Sequence, residues 1–311
     1  MKLPAALRLS PESAPYVFLA PFVGLFLVFG VFPLAFSLYL AFQSWEPTSG
    51  LASMQFVGFD NYAFALRDEW FWKSLKNTAW LALASGVPQH LVAIPLAYFI
   101  HSSFTRLRNG VVGAYFMPYI TSTVAISILF SSLFSTDFGL INVGLAAIGR
   151  VPVLGWFVPG GALDWLNDPD RIKPAIAMIV FWRYVGFNVV LYLAALQTIP
   201  KDIYEAATMD GAGRIQQFFF ITLPSLKPMI FFGVTLSVIG GLQLFEEPFI
   251  LTGGRGGSDQ SGMTTAIYLY RMAFDFNDFG AASAMSWLLF ILVALLTWAT
   301  NRAFRPRGPC A

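Results

Sequence analysis

The sequence predicts an all-α integral membrane protein with six transmembrane helices. Two observations predict it. Of 311 residues, 57% are apolar and only 12% charged, for a mean hydropathy of +0.64, and the apolar residues gather in six stretches long enough to cross a bilayer. A soluble fold has no interior large enough for so much apolar surface, whereas acyl chains accept it. A spanning helix needs about 20 such residues, because the hydrocarbon core is about 30 Å thick and each helical residue rises about 1.5 Å.

The expected spans run from about Tyr16 to Phe42, Thr78 to Ile100, Val111 to Phe134, Ala175 to Leu196, Met229 to Leu251 and Gly280 to Thr300. The first has an apolar run about twice the usual signal-peptide core and no small-residue cleavage pattern behind it, so it reads as a retained helix. Pro21, Pro33, Pro88, Pro95 and Pro118 fall inside spans, where each removes a backbone donor and favours a kink that neighbouring helices can satisfy. The transmembrane domain is expected over 16–303, with tails at 1–15 and 304–311 and a loop at 200–228 between the fourth and fifth spans.

With the N-terminus inside, ten Lys and Arg fall on the inner segments and eight on markedly longer outer loops. That density bias places both termini in the cytoplasm. The net charge of +2 is scattered, which argues against nucleic acid as a partner. Cys310 is the only cysteine, so no disulfide and no cysteine metal cluster can form within the chain. His90 and His101 stand singly in one apolar segment without carboxylates at ligand spacing, and read as structural or interfacial.

The inner loop holds Glu205-Ala206-Ala207-Thr208-Met209-Asp210-Gly211-Ala212-Gly213, then Phe218, Ile221, Leu223, Pro224 and Pro228. Its pattern is that of a helix-turn-helix outside the membrane: a short helix over Ile203–Met209, a turn permitted by Gly211 and Gly213, and a second over Arg214–Thr222. Pro224 then marks the return to the bilayer. The run Glu205-Ala206-Ala207, Asp210-Gly211-Ala212 and Ile221-Thr222-Leu223-Pro224 resembles the EAA loop of ATP-binding-cassette (ABC) importer permeases. Phe56-Val57-Gly58-Phe59-Asp60-Asn61-Tyr62, Leu196-Gln197-Thr198-Ile199-Pro200 and Leu251-Thr252-Gly253-Gly254 extend the likeness to the carbohydrate-uptake branch, and to the first of its two permeases, the type of the maltose, lactose and glycerol-3-phosphate systems. Unlike the maltose subunit, this chain has no large inserted outer domain.

The resemblance implies a type I ABC importer permease fold in a bacterial inner membrane. It implies a second homologous permease, two ATPase subunits, an extracytoplasmic binding protein and a sugar substrate, with ATP and Mg held by the ATPase and no cofactor in this chain. Glu205 would pair with a basic residue of the ATPase, with Ala206, Ala207, Asp210, Ile221, Leu223 and Pro224 around it, and Gly211 would let the second short helix fold back closely. No G-x-x-x-x-G-K-[ST] occurs in the chain, so nothing cradles nucleotide phosphates in the Walker manner. Gly253-Gly254-Arg255-Gly256-Gly257 lacks the Lys-Ser/Thr ending and belongs to an outer loop.

Arg183 in the fourth span and Glu246 and Glu247 in the fifth need protein or water around them, since an unpaired charge at membrane depth costs roughly 2.5–3.5 kcal/mol or more. An ion pair locking two helices and a hydrated sugar path both meet that need. Carried over by position from the maltose type, the pathway residues are Arg183, Tyr184 and Phe187 with Ser237, Gly241 and Leu244. Asn188 and Gln243 are added as adjacent amides on chemistry alone. The expected substrate is a neutral mono- or oligosaccharide, with glycerol-3-phosphate or another small polar solute as the alternative. A secondary transporter from another class would show matched repeats with ion-binding groups in two halves, and none is evident. No motif supports a membrane enzyme.

Overall fold

The computed structural model describes residue 10 and residues 12–103, 108–150 and 161–304. Cys310, residues 1–9 of the expected N-terminal segment and residues 305–311 of the expected tail lie outside them. The described residues fall into two compact units: residues up to Arg67 with Leu269–Leu288, and Asp68–Tyr268 with residues from Leu289 onward.

In the first unit, α1 (Ala14–Leu40) is 27 residues long and contains a π-helical turn at Leu27–Val31. Pro33 accounts for it: its ring crowds the carbonyl of Phe29, four residues back, and a widened turn relieves the clash. A short antiparallel pair follows, β1 (Gln43–Ser44) with β2 (Gln55–Phe56). The Asn61 amide, at the start of α2 (Asp60–Arg67), donates to the carbonyls of Ala41 and Gln43 at 3.1 and 2.8 Å and so ties the end of the span to this hairpin.

The second unit is organised on α3 (Glu69–Ser103), a 35-residue helix that continues through Pro88 and Pro95 and starts earlier than the expected Thr78. It packs along α7 (Ile172–Leu196). Ala93 and Ala97, one turn apart and fully buried, meet Val189, Tyr192 and Leu196. Small residues at such a seam let the two backbones approach, which is where membrane helices gain dispersion contact. At the other end of the seam Leu81 packs with Ile172, Ile176 and Ile179.

The third expected span is not one helix. It is α4 (Arg108–Ile120) and α5 (Thr123–Leu133), bent by 91° at the junction. Ser122 turns extended, with ψ 126°, and the Thr121 hydroxyl donates to the carbonyl of Met117 at 2.8 Å. Hydroxyl residues, which can bond backbone as Thr121 does here, suit helix ends better than helix interiors. The short α6 (Leu140–Gly149) follows.

Between α7 and the next span lie α8 (Lys201–Met209) and α9 (Arg214–Gln217), the latter running on through a π turn at Phe218–Thr222 into Leu223–Ser225. Pro224 therefore lies inside a helical run and ends nothing, contrary to the sequence reading. The fifth span is also divided, into α10 (Lys227–Leu242) and α11 (Glu246–Leu251). Pro248 explains the break: it cannot donate to the Leu244 carbonyl and its ring would collide with it. The helices α12 (Thr265–Phe274) and α13 (Phe279–Phe304) end the described residues. Among the described residues five helices, with Lys227–Leu251 taken as one, are long and apolar enough to cross a membrane, and the bent pair raises the number to as many as six.

Candidate functional site

Within the second unit α3, α4, α7 and α10 enclose a cavity of about 220 Å³. Its walls come close because glycines stand at the crossings. A Cβ on Gly241 would lie 2.8 Å from that of Ala82, and one on Gly186 would collide with the Tyr115 carbonyl. The second contact brings α4 onto α7, so that Tyr119 stacks on Phe187 at 4.6 Å and meets Tyr184 edge-on at 5.8 Å.

The lining is neutral and mixed. From α3 come Ser85, Gly86 and Gln89; from α7 Tyr184, Phe187 and Asn188; from the α10 segment Ser237, Gly241 and Leu244. Asn188 donates to Gln89 Oε1 and to the Tyr184 carbonyl, each at 3.2 Å, and Gln89 reaches the Val180 carbonyl at 3.5 Å. Buried amides held by such bonds keep fixed orientations, because losing a partner leaves a desolvated group unpaired. Fixed amides, hydroxyls and aromatic faces can bind an uncharged polyol in passing.

Of the ten pathway residues drawn from sequence, six line this cavity: Tyr184, Phe187, Asn188, Ser237, Gly241 and Leu244. Four do not. Gln243 and Glu246 are exposed at the break between α10 and α11, while Arg183 and Glu247 pair with each other, Nη1 to Oε1, at 2.6 Å. Glu247 is 2% exposed. The Arg183 guanidinium also lies over the Tyr184 ring at 5.3 Å. Of the two readings left open for these charges, an ion pair between helices and a hydrated path, Arg183 and Glu247 form the ion pair: helix geometry turns Arg183 to the α11 side of α7, where the charge finds its counter-ion.

The α3 and α4 walls were missed. Ala82, Ser85, Gly86 and Gln89 recur at intervals of three and four, which puts small and polar groups on one helical stripe. That pattern was available in the sequence.

The loop between α7 and α10 is the second candidate site. After α8, Gly211 takes φ +82°, its N–H donates to the Thr208 carbonyl at 3.0 Å, and that of Ala212 donates to Ala207 at 2.9 Å. These paired bonds are a Schellman closure, which requires a left-handed residue after the helix. A Cβ on Gly211 would meet nothing within 4 Å, so the expected steric reason for this glycine is corrected: the backbone angle requires it, not close approach. Gly213, with φ −70°, needs no such freedom, and its N–H donates to Gln216 Oε1 at 2.8 Å.

Gln217 then bonds Thr208 Oγ1 at 2.9 Å and the Ala212 carbonyl at 3.0 Å, and Tyr204 bonds Thr222 at 2.9 Å. The elbow is thus braced from both sides. Tyr98, near the end of α3, donates to the Arg214 carbonyl at 3.2 Å. Glu205, Ala206 and Asp210 are exposed, Ala207, Ile221 and Leu223 are half-buried, and Pro224 is exposed. Glu205 borders a groove with Lys201, Tyr204 and Arg214. Met209, Ile215 and Phe220 stand out at 88%, 76% and 79% exposure, an apolar outer face on a rigid loop.

Residues 91–307 match the family of binding-protein-dependent transport system inner membrane components. The chain is 36% identical over 293 residues to the lactose transport system permease protein of Rhizobium radiobacter, covering 94% of each. To the arabinooligosaccharides transport system permease protein of Bacillus subtilis (strain 168) it is 33% identical over 309 residues, 96% of this chain and 92% of that one. The sulfoquinovosyl glycerol transport system permease protein of Agrobacterium fabrum is 31% identical over 304 residues, with 97% and 93% covered. Among solved structures, a chain of a bacterial ABC transporter involved in the import of the acidic polysaccharide alginate has a TM-score of 0.79 at 24% identity, over 94% of this chain and 96% of that chain. A chain of the alginate ABC transporter in complex with an alginate pentasaccharide-bound periplasmic protein has a TM-score of 0.77 at 25% identity, covering 93% of each. With a match that takes in α7, the braced loop and α10, and relatives alike along nearly the whole length, the chain belongs to the binding-protein-dependent transport system inner membrane component family.

Proposed function

We propose that the chain forms half of the translocation path of an ABC importer for a neutral mono- or oligosaccharide. A second homologous permease supplies the other half, a binding protein delivers the solute, and two separate ATPase subunits drive alternating access. The observation that carries this reading is the neutral cavity of amides, hydroxyls and aromatic faces, set between the two helices that flank the exposed loop. The carbohydrate relatives support the substrate class. The pairing of Arg183 with Glu247 argues against an anionic solute, because a phosphate or a uronate would draw on free cationic donors.

In this reading the loop faces the cytoplasm. Glu205 and the apolar face of Met209, Ile215 and Phe220 enter a cleft of the ATPase, while Asp210, Gly211 and the residues to Pro224 keep the handle stiff. Gln243 and Glu246, exposed at the α10–α11 break, face the second permease across the path.

The test is uptake by proteoliposomes holding the complete transporter and its binding protein, with labelled lactose, arabinotriose, glycerol 3-phosphate and an alginate trisaccharide. Saturable, ATP-dependent entry of a neutral sugar is expected. Entry of an anion without entry of either neutral sugar would overturn the substrate assignment.

A further inference from the structure

His90 reads from the sequence as structural or interfacial, and both of its ring nitrogens are engaged. Tyr192 Oη lies 2.7 Å from Nδ1, and Ser237 Oγ lies 3.0 Å from Nε2. The three residues come from α7, α3 and α10, and Ser237 lines the cavity. Tyr192 is fully buried and His90 is 9% exposed.

The direction of this chain of bonds follows from counting protons. Among the described residues the phenol of Tyr192 has no partner other than Nδ1. A buried hydroxyl proton without an acceptor is costly, so Tyr192 donates and Nδ1 is the bare nitrogen. A neutral imidazole carries one proton, which must then sit on Nε2. Nε2–H donates to Ser237 Oγ. The Ser237 proton, which makes no bond back to its own helix among the described contacts, is left to point into the cavity. Gly233 makes the arrangement possible, since a Cβ there would lie 2.7 Å from the Tyr192 oxygen.

We propose that His90 and Tyr192 are positioning residues that set Ser237 as a hydrogen-bond donor toward the solute, so that this wall of the cavity selects an acceptor oxygen. A free serine turns its proton or either of its two lone pairs to a neighbour as its hydroxyl rotates; the relay occupies one lone pair and aims the proton away from His90, toward the cavity. The proposal rests on the reading of the cavity as the solute path.

A thiol probe tests it without knowledge of the solute. In the assembled transporter carrying Ser237→Cys, Nε2–H would donate to the thiolate and raise its reactivity. The rate of modification by neutral methyl methanethiosulfonate is followed during ATP turnover, by mass spectrometry of the peptide bearing position 237. His90→Phe should slow the reaction by about tenfold through loss of the thiolate donor, and Tyr192→Phe by a smaller factor because the imidazole can then take either tautomer. His90→Gln, whose amide nitrogen reaches the Nε2 position, should restore much of the rate. The His90→Phe/Tyr192→Phe pair should be no slower than His90→Phe alone.

Unchanged rates in both single variants would overturn the relay and leave the path reading standing. No modification in any background, while a control thiol at exposed Ser225 reacts, would overturn the path reading and the relay together. If His90→Phe fails to assemble, Tyr192→Phe decides the matter, since it removes one oxygen and nothing else.

Discussion

Gly211 and Glu247 illustrate how differently two single residues can matter. At φ +82° any L side chain on Gly211 is strained, and placing one there costs about 1–2 kcal/mol. Because the space around it is open, Gly211→Ala and Gly211→Trp should strain the elbow about equally, and Trp should be worse only where the loop meets its partner. Co-purification of the ATPase and uptake, measured in parallel with membrane insertion, separate the two effects: insertion normal in both, ATPase retention lower for Trp than for Ala. Glu205→Gln should weaken docking without disturbing the elbow. Glu247→Gln leaves Arg183 buried without its counter-ion, a change of about 3–5 kcal/mol, and should lower the melting temperature of the complex sharply. Removing both charges as Arg183→Met/Glu247→Gln should recover most of that loss; thermal unfolding of Glu247→Gln, Arg183→Met and the double variant checks it, and additive losses in the double variant would refute the pairing argument.

At the scale of elements, the crossing of α4 over α7 depends on one hydrogen atom. Gly186→Ala would push its methyl into the Tyr115 carbonyl, an overpacking that costs about 1–3 kcal/mol, and would part Tyr119 from Phe187. Gly144→Ala on α6, where a Cβ meets nothing within 4 Å, is the control. Thermal stability and uptake should fall for the first and stay unchanged for the second. The helices were legible as apolar stretches because length and hydropathy are properties of composition. The two breaks were not. Thr121–Ser122 and Pro248 do carry the necessary chemistry, but a hydroxyl pair or a proline in a membrane helix is compatible with a straight run, a kink or a break. Only the surrounding packing decides among them. The same holds for direction within a helix: Arg183 and Tyr184 are adjacent in sequence, yet one meets a carboxylate on α11 and the other meets the cavity.

At the scale of the whole molecule, the chain carries a braced, exposed loop, which the proposed function makes a docking element, and no phosphate-cradling motif. The purified chain alone is therefore expected to show neither ATP hydrolysis nor transport, and both should appear on addition of the second permease, the ATPase and the binding protein. Solute-stimulated ATPase activity in the lone chain would contradict this. The loop was the most legible part of the site, since fixed spacing of Glu, Gly and Pro over twenty residues (205–224) survives any change of surroundings. The cavity was half legible: its α7 and α10 faces were found through resemblance, with Asn188 added on chemistry alone, while its α4 wall was missed and its α3 face went unread because a stripe of Ser, Gly and Gln looks like ordinary membrane-helix packing.

The long helix α3 has 35 residues, about 52 Å at 1.5 Å per residue, and it is gripped near both ends. Toward its start, Asn77 donates to the carbonyls of Gln260 and Met263, each at 3.1 Å, and Thr78 bonds Thr265 at 3.1 Å. Toward its finish, Tyr98 holds the backbone of the braced loop. Ser85, Gln89 and His90 lie between these grips, so any rotation of the rod about its middle would have the cavity near its pivot. A swing of about 5° about its middle carries each end of a rod this long through about 2 Å while the middle barely translates. Pro88 and Pro95, each with a missing bond, mark where the lever could flex and spend part of that swing on reorienting the cavity wall. A stroke of the ATPase on the loop would thus reach the solute chiefly as rotation, changing which groups face it before changing how much room it has.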